Sequence, residues 1–311
     1  MKISLYTIGK SRGNMGHGYE IEELKQRLIE ILSDSKMGIS GSEISKILNV
    51  SRITMTKYLK ILAAEGFLRE RIIGNTTLWF LELGQESFIF PDDYFKVTPQ
   101  YLDYLVKGSE RQVYSLIKNC IRSKGSVPKL VGEVILPAIN HIQTLYDDGK
   151  IGNSELKLLE NIISNSLQIF NQIPKVSNSK KNIIVLSGDS ESNLLSKAAS
   201  ASLYSNEWMV FELGDMSSAI NVLFDLDFQK LVSKIWKQKS GILIVVVFST
   251  SRERLNFFAD SINSIKEKIG KRMKLVLCGK IENKPKLNCD LYTEKFEDVI
   301  QWSETVYENS K

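Results

Sequence analysis

The chain has 311 residues and a mass of 35.3 kDa, about twice the size of a typical domain, which favours two or three domains. Apolar residues make up 43% and charged residues 25%, a globular composition that excludes disorder throughout the chain. The formal charge of +5 is spread evenly, with net charges of +2, +1 and +2 over residues 1–90, 91–176 and 177–311. No region is a basic arm, so contact with nucleic acid would depend on the local placement of charge.

Cysteine and histidine are rare in the sequence. The three cysteines, Cys120, Cys278 and Cys289, have no metal-ligand spacing, and the only histidines are His17 and His141. The sequence therefore predicts neither a disulfide framework nor a metal site. The longest strongly apolar run is far shorter than the roughly 20 residues of a membrane span, and the apolar run at the start is too short for a signal peptide. We expect a soluble protein of the cytoplasm that does not bind a membrane.

The N-terminal region predicts an arm followed by three helices. Residues 1–18 end in a glycine-rich stretch, which is typical of a flexible segment. Apolar residues then recur at α-helical spacing in three short segments between residues 19 and 64. In the second segment Ile47 is expected to face the core with its apolar neighbours. In the third, Ser51 is expected to cap the start of the helix.

Two strand-like segments follow the third helix. Residues 67–73 and 76–83 are joined by a turn at Gly74 and Asn75, which predicts a β-hairpin. Three close helices and a hairpin predict a winged helix-turn-helix domain over residues 19–85.

The third helix and the start of the hairpin resemble a known class of DNA-binding domain. Residues 50–62 and 65–68 look like the recognition helix and wing entry of archaeal and bacterial winged-helix transcription regulators. The resemblance implies that the helix enters the major groove and that the wing contacts the minor groove or the backbone. The residues placed for DNA contact are Ser51, Arg52, Ile53, Thr54, Thr56, Lys57 and Lys60 on the helix, and Arg69, Arg71, Asn75 and Thr76 on the wing.

Positive charge is concentrated in this part of the chain. Between Arg52 and Arg71, five basic and two acidic residues give a local charge of +3. Such a cluster on an element shaped to enter a groove is the electrostatic footprint of DNA binding. We therefore expect double-stranded DNA as a partner, the alternative being a winged helix that only docks another protein.

The middle of the chain is predicted to be helical. Residues 86–109 are rich in aromatic residues and are interpreted as a connector that packs on a domain or a dimer mate. Residues 110–175 contain three helix-like segments, which predicts a bundle. Within it, residues 134–139 and 146–151 resemble the helical cap of cobalamin-binding modules, found in methionine synthase and in cobalamin-dependent light-sensing repressors. In that family a tryptophan precedes the glycine turn, where this chain has Tyr146.

Residues 182–311 alternate continuous apolar strands with helices, the pattern of a doubly wound parallel sheet. Residues 210–214 and the pair Cys278-Gly279 resemble strand and turn segments of the Rossmann-like cobalamin-binding domain. Together with the cap, they imply the domain arrangement of cobalamin-dependent light-sensing repressors. The predicted fold class is multidomain α/β, with an N-terminal winged helix, a central helical bundle and a C-terminal doubly wound parallel sheet.

The motif that binds cobalamin in that family is degenerate here. In the family an Asp/Glu-x-His-x-x-Gly motif follows the first strand, and its histidine is the lower axial ligand of cobalt. In this chain Glu191 stands at the histidine and Leu194 at the glycine, and a carboxylate is a poor substitute for imidazole on cobalt. We therefore expect no cobalamin and no other cofactor. The candidate residues for a different small ligand at the strand ends are Tyr146, Gly188, Asp189, Ser190, Glu191, Ser192, Ser249, Thr250 and Gly279.

Two functions of different classes stay open. The first is a DNA-binding transcription regulator, acting as a homodimer or higher homo-oligomer, whose C-terminal domains sense a small-molecule effector or mediate assembly. The second is a corrinoid or small-molecule carrier in methyl transfer, with the winged helix as a protein-docking module. The sequence has no phosphate-binding loop, dinucleotide fingerprint or Ser-His-Asp order, so we do not expect an enzyme.

Overall fold

The computed structural model describes residues 20–33, 35, 37–82, 88–220, 223–236, 241–270, 272–281 and 287–310. The predicted arm, residues 1–18, lies outside these ranges. The chain divides into two compact units, Met1–Ser87 and Phe88–Lys311. Within the described ranges, no helix has both the length and the apolar character that crossing a membrane requires.

The N-terminal unit has the winged helix-turn-helix arrangement predicted from the sequence. Its elements are α1 (Ile21–Ser33), β1 (Ile39–Ser40), α2 (Gly41–Ile47), α3 (Arg52–Ala64), β2 (Leu68–Ile73) and β3 (Thr76–Leu81). The strand order is β1-β3-β2, and both pairs are antiparallel. The sequence analysis missed β1 because a two-residue strand has no measurable periodicity.

The three helices of this unit pack around one apolar core. The buried side chains include Leu24, Leu28, Met55, Leu59, Leu62 and Trp79. The prediction that Ile47 faces this core is wrong, because its side chain is 58% exposed. The seven-residue α2 is anchored instead through Ile44 and Leu48, which lie one helical turn apart on the same side.

The C-terminal unit begins with a helical bundle. Its elements are α4 (Tyr94–Val106), α5 (Glu110–Arg122), α6 (Val127–Leu130), a π-helical turn (Val131–Ile135), α7 (Leu136–Asp147) and α8 (Asn153–Asn171). The segment interpreted as a connector, residues 86–109, thus contains a helix. Tyr94, Val97 and Tyr101 of α4 are buried in the same apolar core as the other helices, because aromatic residues one turn apart form a single apolar face. The structure therefore makes α4 part of the bundle.

A proline in α7 helps to fix α4 in the bundle. Pro137 has no N–H to donate to the carbonyl of Glu133, four residues earlier. Thr98 Oγ1 of α4 donates to that carbonyl at 2.8 Å. The π-helical turn lies just before this proline and separates α6 from α7.

A five-stranded sheet follows the bundle. Its elements are β4 (Lys181–Ser187), α9 (Asn193–Ser205), β5 (Met209–Asp215), α10 (Phe224–Ile235), β6 (Ile242–Phe248), α11 (Arg252–Ile269), β7 (Met273–Cys278), β8 (Leu291–Thr293) and α12 (Phe296–Glu308), with a 3₁₀ turn at Ser217–Ala219. The strand order is β5-β4-β6-β7-β8, and all pairs are parallel. This confirms the predicted doubly wound parallel sheet. The order reverses between β4 and β6, so the carboxyl ends of these two strands flank the topological switch point.

The two faces of the sheet are covered by different helices. Along β4, Ile183 and Val185 pack into the core shared with the bundle, α9 and α12, whereas Ile184 and Leu186 pack beneath α10 and α11. This division follows from the alternation of side chains along a strand. Because both faces are buried, the central strands are apolar at nearly every position.

Leu59→Ala is expected to lower the free energy of unfolding of the N-terminal unit by about 2–5 kcal/mol, because Leu59 is fully buried. Ile61→Ala on the same helix is the control; Ile61 is 46% exposed, so the expected change is no more than about 0.5 kcal/mol. Urea unfolding followed by circular dichroism measures both variants. Equal losses in the two variants would contradict the packing of α3.

Candidate functional site

The first turn of α3 is capped by side-chain hydroxyls. Ser51 Oγ accepts a hydrogen bond from the Thr54 N–H at 3.1 Å, and the hydroxyl oxygens of Ser51 and Thr54 lie 2.7 Å apart. Thr56 Oγ1 donates to the Arg52 carbonyl at 2.8 Å. The predicted cap is therefore present, and the hydroxyls of Ser51, Thr54 and Thr56 are all engaged within the helix.

The exposed face of α3 brings together five of the residues predicted to contact DNA. A groove of 410 Å³ on this face is lined by Arg52, Ile53, Thr56, Lys57 and Lys60. The opposite face is held in the core by Met55, Leu59 and Leu62. Because apolar residues at spacings of four and three bury one side of the helix, the polar positions between them must project outward.

Three cations of this groove have no carboxylate partner among the residues that the structure describes. Within the part of the chain that the structure describes, Arg52, Lys57 and Lys60 form no ion pair, whereas Lys25 of α1 is paired with both Glu22 and Glu65. An unpaired cation can approach a phosphate without first giving up an internal partner. The positive charge of α3 is therefore available to an anionic ligand.

The arginines of the hairpin lie on a different surface. By the register of β2 and β3, Arg69 and Arg71 share a face with Phe80, and the buried Trp79 lies on the other face. The Arg69 guanidinium lies 5.3 Å from the centroid of the Phe80 ring. Neither arginine lines the α3 groove. The predicted DNA contacts of the helix and of the hairpin therefore lie on two separate surfaces.

The tip of the hairpin carries the two remaining predicted DNA contacts. Asn75 and Thr76 are exposed there, next to Gly74, which has a φ of +59°. Glycine adopts that left-handed conformation without the strain that a side chain would cause. The tip is therefore a short polar projection, as expected for a wing.

One basic residue of the preceding helix was missed by the sequence analysis. Lys46 is exposed in the last turn of α2, the helix that precedes α3. In helix-turn-helix domains the helix before the recognition helix crosses the DNA backbone. The position of Lys46 just before the inter-helix turn was the signal that could have identified it.

The carboxyl ends of β4 and β6 are tied together by one carboxylate. Asp189, in the loop after β4, accepts hydrogen bonds from Ser249 Oγ at 2.5 Å and from the Thr250 N–H at 2.8 Å. Its other oxygen accepts from the Ser192 N–H at 2.8 Å. Glu191 Oε2 accepts from Thr250 Oγ1 at 3.1 Å. We call these five residues the Asp189 network, and all five belong to the predicted ligand set.

Asp189 is buried but remains ionised. Burial by itself would raise its pKa, but the hydrogen bonds from Ser249, Ser192 and the Thr250 N–H outweigh burial and hold the pKa below its ordinary value. Several donors to one carboxylate favour the charged form. The resulting negative charge opposes the binding of phosphate at this edge, although the N-terminus of α9 lies beside it.

The other predicted ligand residues have different surroundings. Gly188 and Ser190 lie in the same loop as Asp189, and Ser190 is exposed. A Cβ on Gly279 would lie 1.9 Å from the Ser249 carbonyl oxygen, so glycine is required there for the close approach of two loops. Tyr146 is 40% exposed near the end of α7, and no hydrogen bond or ring contact among the described residues joins it to the Asp189 network.

The residues at this edge do not fit a corrinoid held through an axial histidine. Glu191 takes the position of that histidine and accepts a hydrogen bond from Thr250. Leu194 is 7% exposed and belongs to the core that the sheet shares with the bundle, so a side chain fills the position of the motif's glycine. Over the ranges that the structure describes, no three His, Cys, Asp or Glu side chains are grouped closely enough to hold a metal ion.

Comparison with protein-family models matches residues 24–76 to the family described as HTH domain. The match begins in α1 and ends at the first residue of β3. Comparison with curated proteins finds no match.

Comparison with solved structures gives three similar proteins. The chain is similar to the monomethylamine corrinoid protein of Methanosarcina barkeri, with a TM-score of 0.52 and 14% identity over 68% of this chain and 99% of that chain. It is also similar to a cobalamin-binding protein from Desulfitobacterium hafniense DCB-2, with a TM-score of 0.34 and 12% identity over 67% and 97%. The methanol:cobalamin methyltransferase complex of Methanosarcina barkeri matches with a TM-score of 0.35 and 14% identity over 84% and 94%.

Only the first of these structures exceeds a TM-score of 0.5, and at 14% identity it establishes the fold alone. The class of protein follows from the two comparisons together. The chain combines a winged helix-turn-helix domain with a module that has the fold of cobalamin-binding domains.

Asp189→Asn is expected to lower the free energy of unfolding of the C-terminal unit by about 1–3 kcal/mol at neutral pH, because an amide N–H would face a donor of Ser192 or Thr250. The pKa of Asp189 is lower in the folded than in the unfolded state. Its stabilisation is therefore complete above the ordinary aspartate pKa and is lost as pH falls through the folded value. Urea unfolding should show that the wild type loses more stability than the variant upon acidification.

Glu191→Gln is the matched control for this measurement. Its carboxylate is exposed and accepts one hydrogen bond from Thr250, so the free energy of unfolding should change by no more than about 0.5 kcal/mol. Identical pH dependence in the wild type and the Asp189 variant would contradict the role given to Asp189.

Proposed function

We propose that this protein is a transcription regulator that binds duplex DNA through α3. The observation that supports this most directly is the α3 groove, where Arg52, Lys57 and Lys60 project without carboxylate partners among the described residues. This helix lies within residues 24–76, which match the HTH domain family, and it is the helix that precedes the hairpin. In that class of domain the recognition helix enters the major groove, while phosphate contacts fix its register.

The geometry suggests a division of roles among the exposed residues. Arg52 and Lys57, in the first two turns of α3, are placed to contact base edges, and Lys60 is placed nearer the backbone. Lys46, at the end of α2, is placed to contact a phosphate on the other side of the turn. The exposed tip of the hairpin, with Asn75, is placed for the minor groove or the backbone.

The C-terminal unit, in this proposal, holds two copies of the chain together or responds to a small effector, without cobalamin and without catalysis. The carboxyl edge of its sheet is filled by the internal hydrogen bonds of the Asp189 network, which supports a role other than corrinoid binding. Helix-turn-helix regulators commonly read two-fold symmetric sites, and a homodimer supplies the matching symmetry.

A corrinoid carrier in methyl transfer is the second candidate function. One observation favours it, namely that the larger unit shares its fold with a corrinoid protein. Glu191 and the buried Leu194 oppose it, since neither can reproduce the residue that the cobalamin motif has at its position. The two candidates differ in an observable property, the retention of a coloured cofactor.

The combined change Arg52→Ala and Lys57→Ala is expected to weaken binding of the full chain to duplex DNA about tenfold or more, since each contact of this kind contributes about 1–3 kcal/mol. The slope of log affinity against log salt should change little, because both residues are assigned to base edges, whereas Lys60→Ala, which removes a contact placed near the backbone, should make it shallower by about 1. Fluorescence anisotropy with a labelled duplex, measured over a salt series, gives both quantities.

The control removes the same charge from the other unit. Lys230→Ala with Lys234→Ala takes two exposed cations from α10 and should leave both the affinity and the salt slope unchanged. If neither pair changes binding, or if the wild type retains no duplex at low salt, the proposal is wrong.

Reconstitution with hydroxocobalamin tests the second candidate. The full chain is expected to elute from gel filtration without visible absorbance, because Glu191 supplies no imidazole to cobalt and Leu194 is packed in the core. Stoichiometric retention of the coloured cofactor by the wild-type chain would instead support the corrinoid carrier.

A further inference from the structure

The α3 groove contains an apolar side chain that the helix does not need for folding. Ile53 is 74% exposed in the first turn of α3, and it lies in the groove with Arg52, Lys57 and Lys60. An isoleucine left in water among cations gains nothing from that position in the free protein. It would gain free energy if a ligand covered it, and the surrounding cations favour a polyanion.

The hydroxyl groups of the same surface already have hydrogen-bond partners within the chain. Thr56 Oγ1 donates to the Arg52 carbonyl, and the hydroxyls of Thr54 and Ser51 are paired with each other. Thr56 also lines the groove, and beside this bonded hydroxyl it carries one methyl group. The surface therefore offers cations and methyl groups, while its threonine hydroxyls are used within α3.

Duplex DNA presents one apolar group that this surface can recognise. In the major groove the 5-methyl of thymine is the one methyl among the four unmodified bases, and apolar side chains contact it there. Arg52 and Lys57 can donate at the same time to O6 and N7 of a neighbouring guanine. Cations next to apolar groups thus match a site in which thymine adjoins guanine.

We infer, resting on the proposed function, that Ile53 and the methyl of Thr56 recognise the 5-methyl group of thymine, and that this contact sets the sequence preference of the chain. Ile53 is the main specificity-determining residue, because it is the larger apolar group in the groove. Thr56 supports it from the next turn, three residues further along the helix.

Replacement of thymine by uracil isolates this contact, because it removes the methyl and leaves base pairing intact. A duplex is first selected from a random pool by retention on the full-length protein, and each thymine is then replaced in turn by deoxyuridine. Uracil at the contacted position should weaken binding of the wild type about fourfold, the value of one buried methyl. Ile53→Ala should bind the thymine duplex more weakly and lose its sensitivity to uracil.

Two variants on the same helix complete the comparison. Thr56→Ser keeps the hydroxyl that bonds to Arg52 but removes the methyl, so it should reduce the uracil effect in part. Ile61→Ala removes an exposed isoleucine that does not line the groove, and it should retain the full wild-type response to uracil.

The outcomes separate this inference from the function on which it rests. If the wild type binds DNA but no uracil replacement weakens it, or if Ile53→Ala keeps the wild-type response, the inference is wrong and DNA binding stands. If the wild type binds no duplex, both are wrong. In that case an effect of Ile53→Ala on retention of a protein partner would identify α3 as a protein-docking surface.

Discussion

The arrangement of the C-terminal unit depends on the need to satisfy one buried carboxylate. Asp189 is 6% exposed, and an ionised group in that position must be surrounded by donors or become protonated. Its donors come from its own loop and from the loop after β6, so the carboxylate fixes the ends of both strands. At the edge where a doubly wound sheet commonly binds its ligand, polar groups of these two loops are therefore bonded to each other.

The N-terminal unit differs, because the cations on its exposed helix face are not paired with carboxylates of the described chain. The threonine hydroxyls of α3 have partners in its first turns, but the cations of its groove form no ion pair among the described residues and lie beside Ile53. The carboxyl edge of the sheet, where polar groups bond to each other, and the basic α3 groove, where cations are unpaired, are therefore suited to different roles. Among the described residues, the polar groups at the sheet edge bond to one another, whereas the cations of α3 face solvent.

Much of the fold followed from local patterns. Spacings of three and four predicted α1 and α3, and continuous apolar runs predicted β4 and β6, because these periods follow directly from backbone geometry. Predictions were wrong or incomplete where a pattern was short or ambiguous. Ile47 in a seven-residue helix is exposed, and the aromatic residues of 94–106 belong to a core helix, since an aromatic-rich segment by itself does not reveal its packing partner.

For this protein, the sequence by itself determined the order of its elements apart from β1 and α4, the helix that carries the exposed cations and the absence of a histidine at position 191. Only the tertiary structure decided which of the predicted site residues contact one another. Asp189 and Thr250 are sixty-one positions apart along the chain and come into contact because parallel strands bring their carboxyl ends to one edge. Arg69 and Arg71 turn away from the buried Trp79 because strand register fixes the face of every side chain.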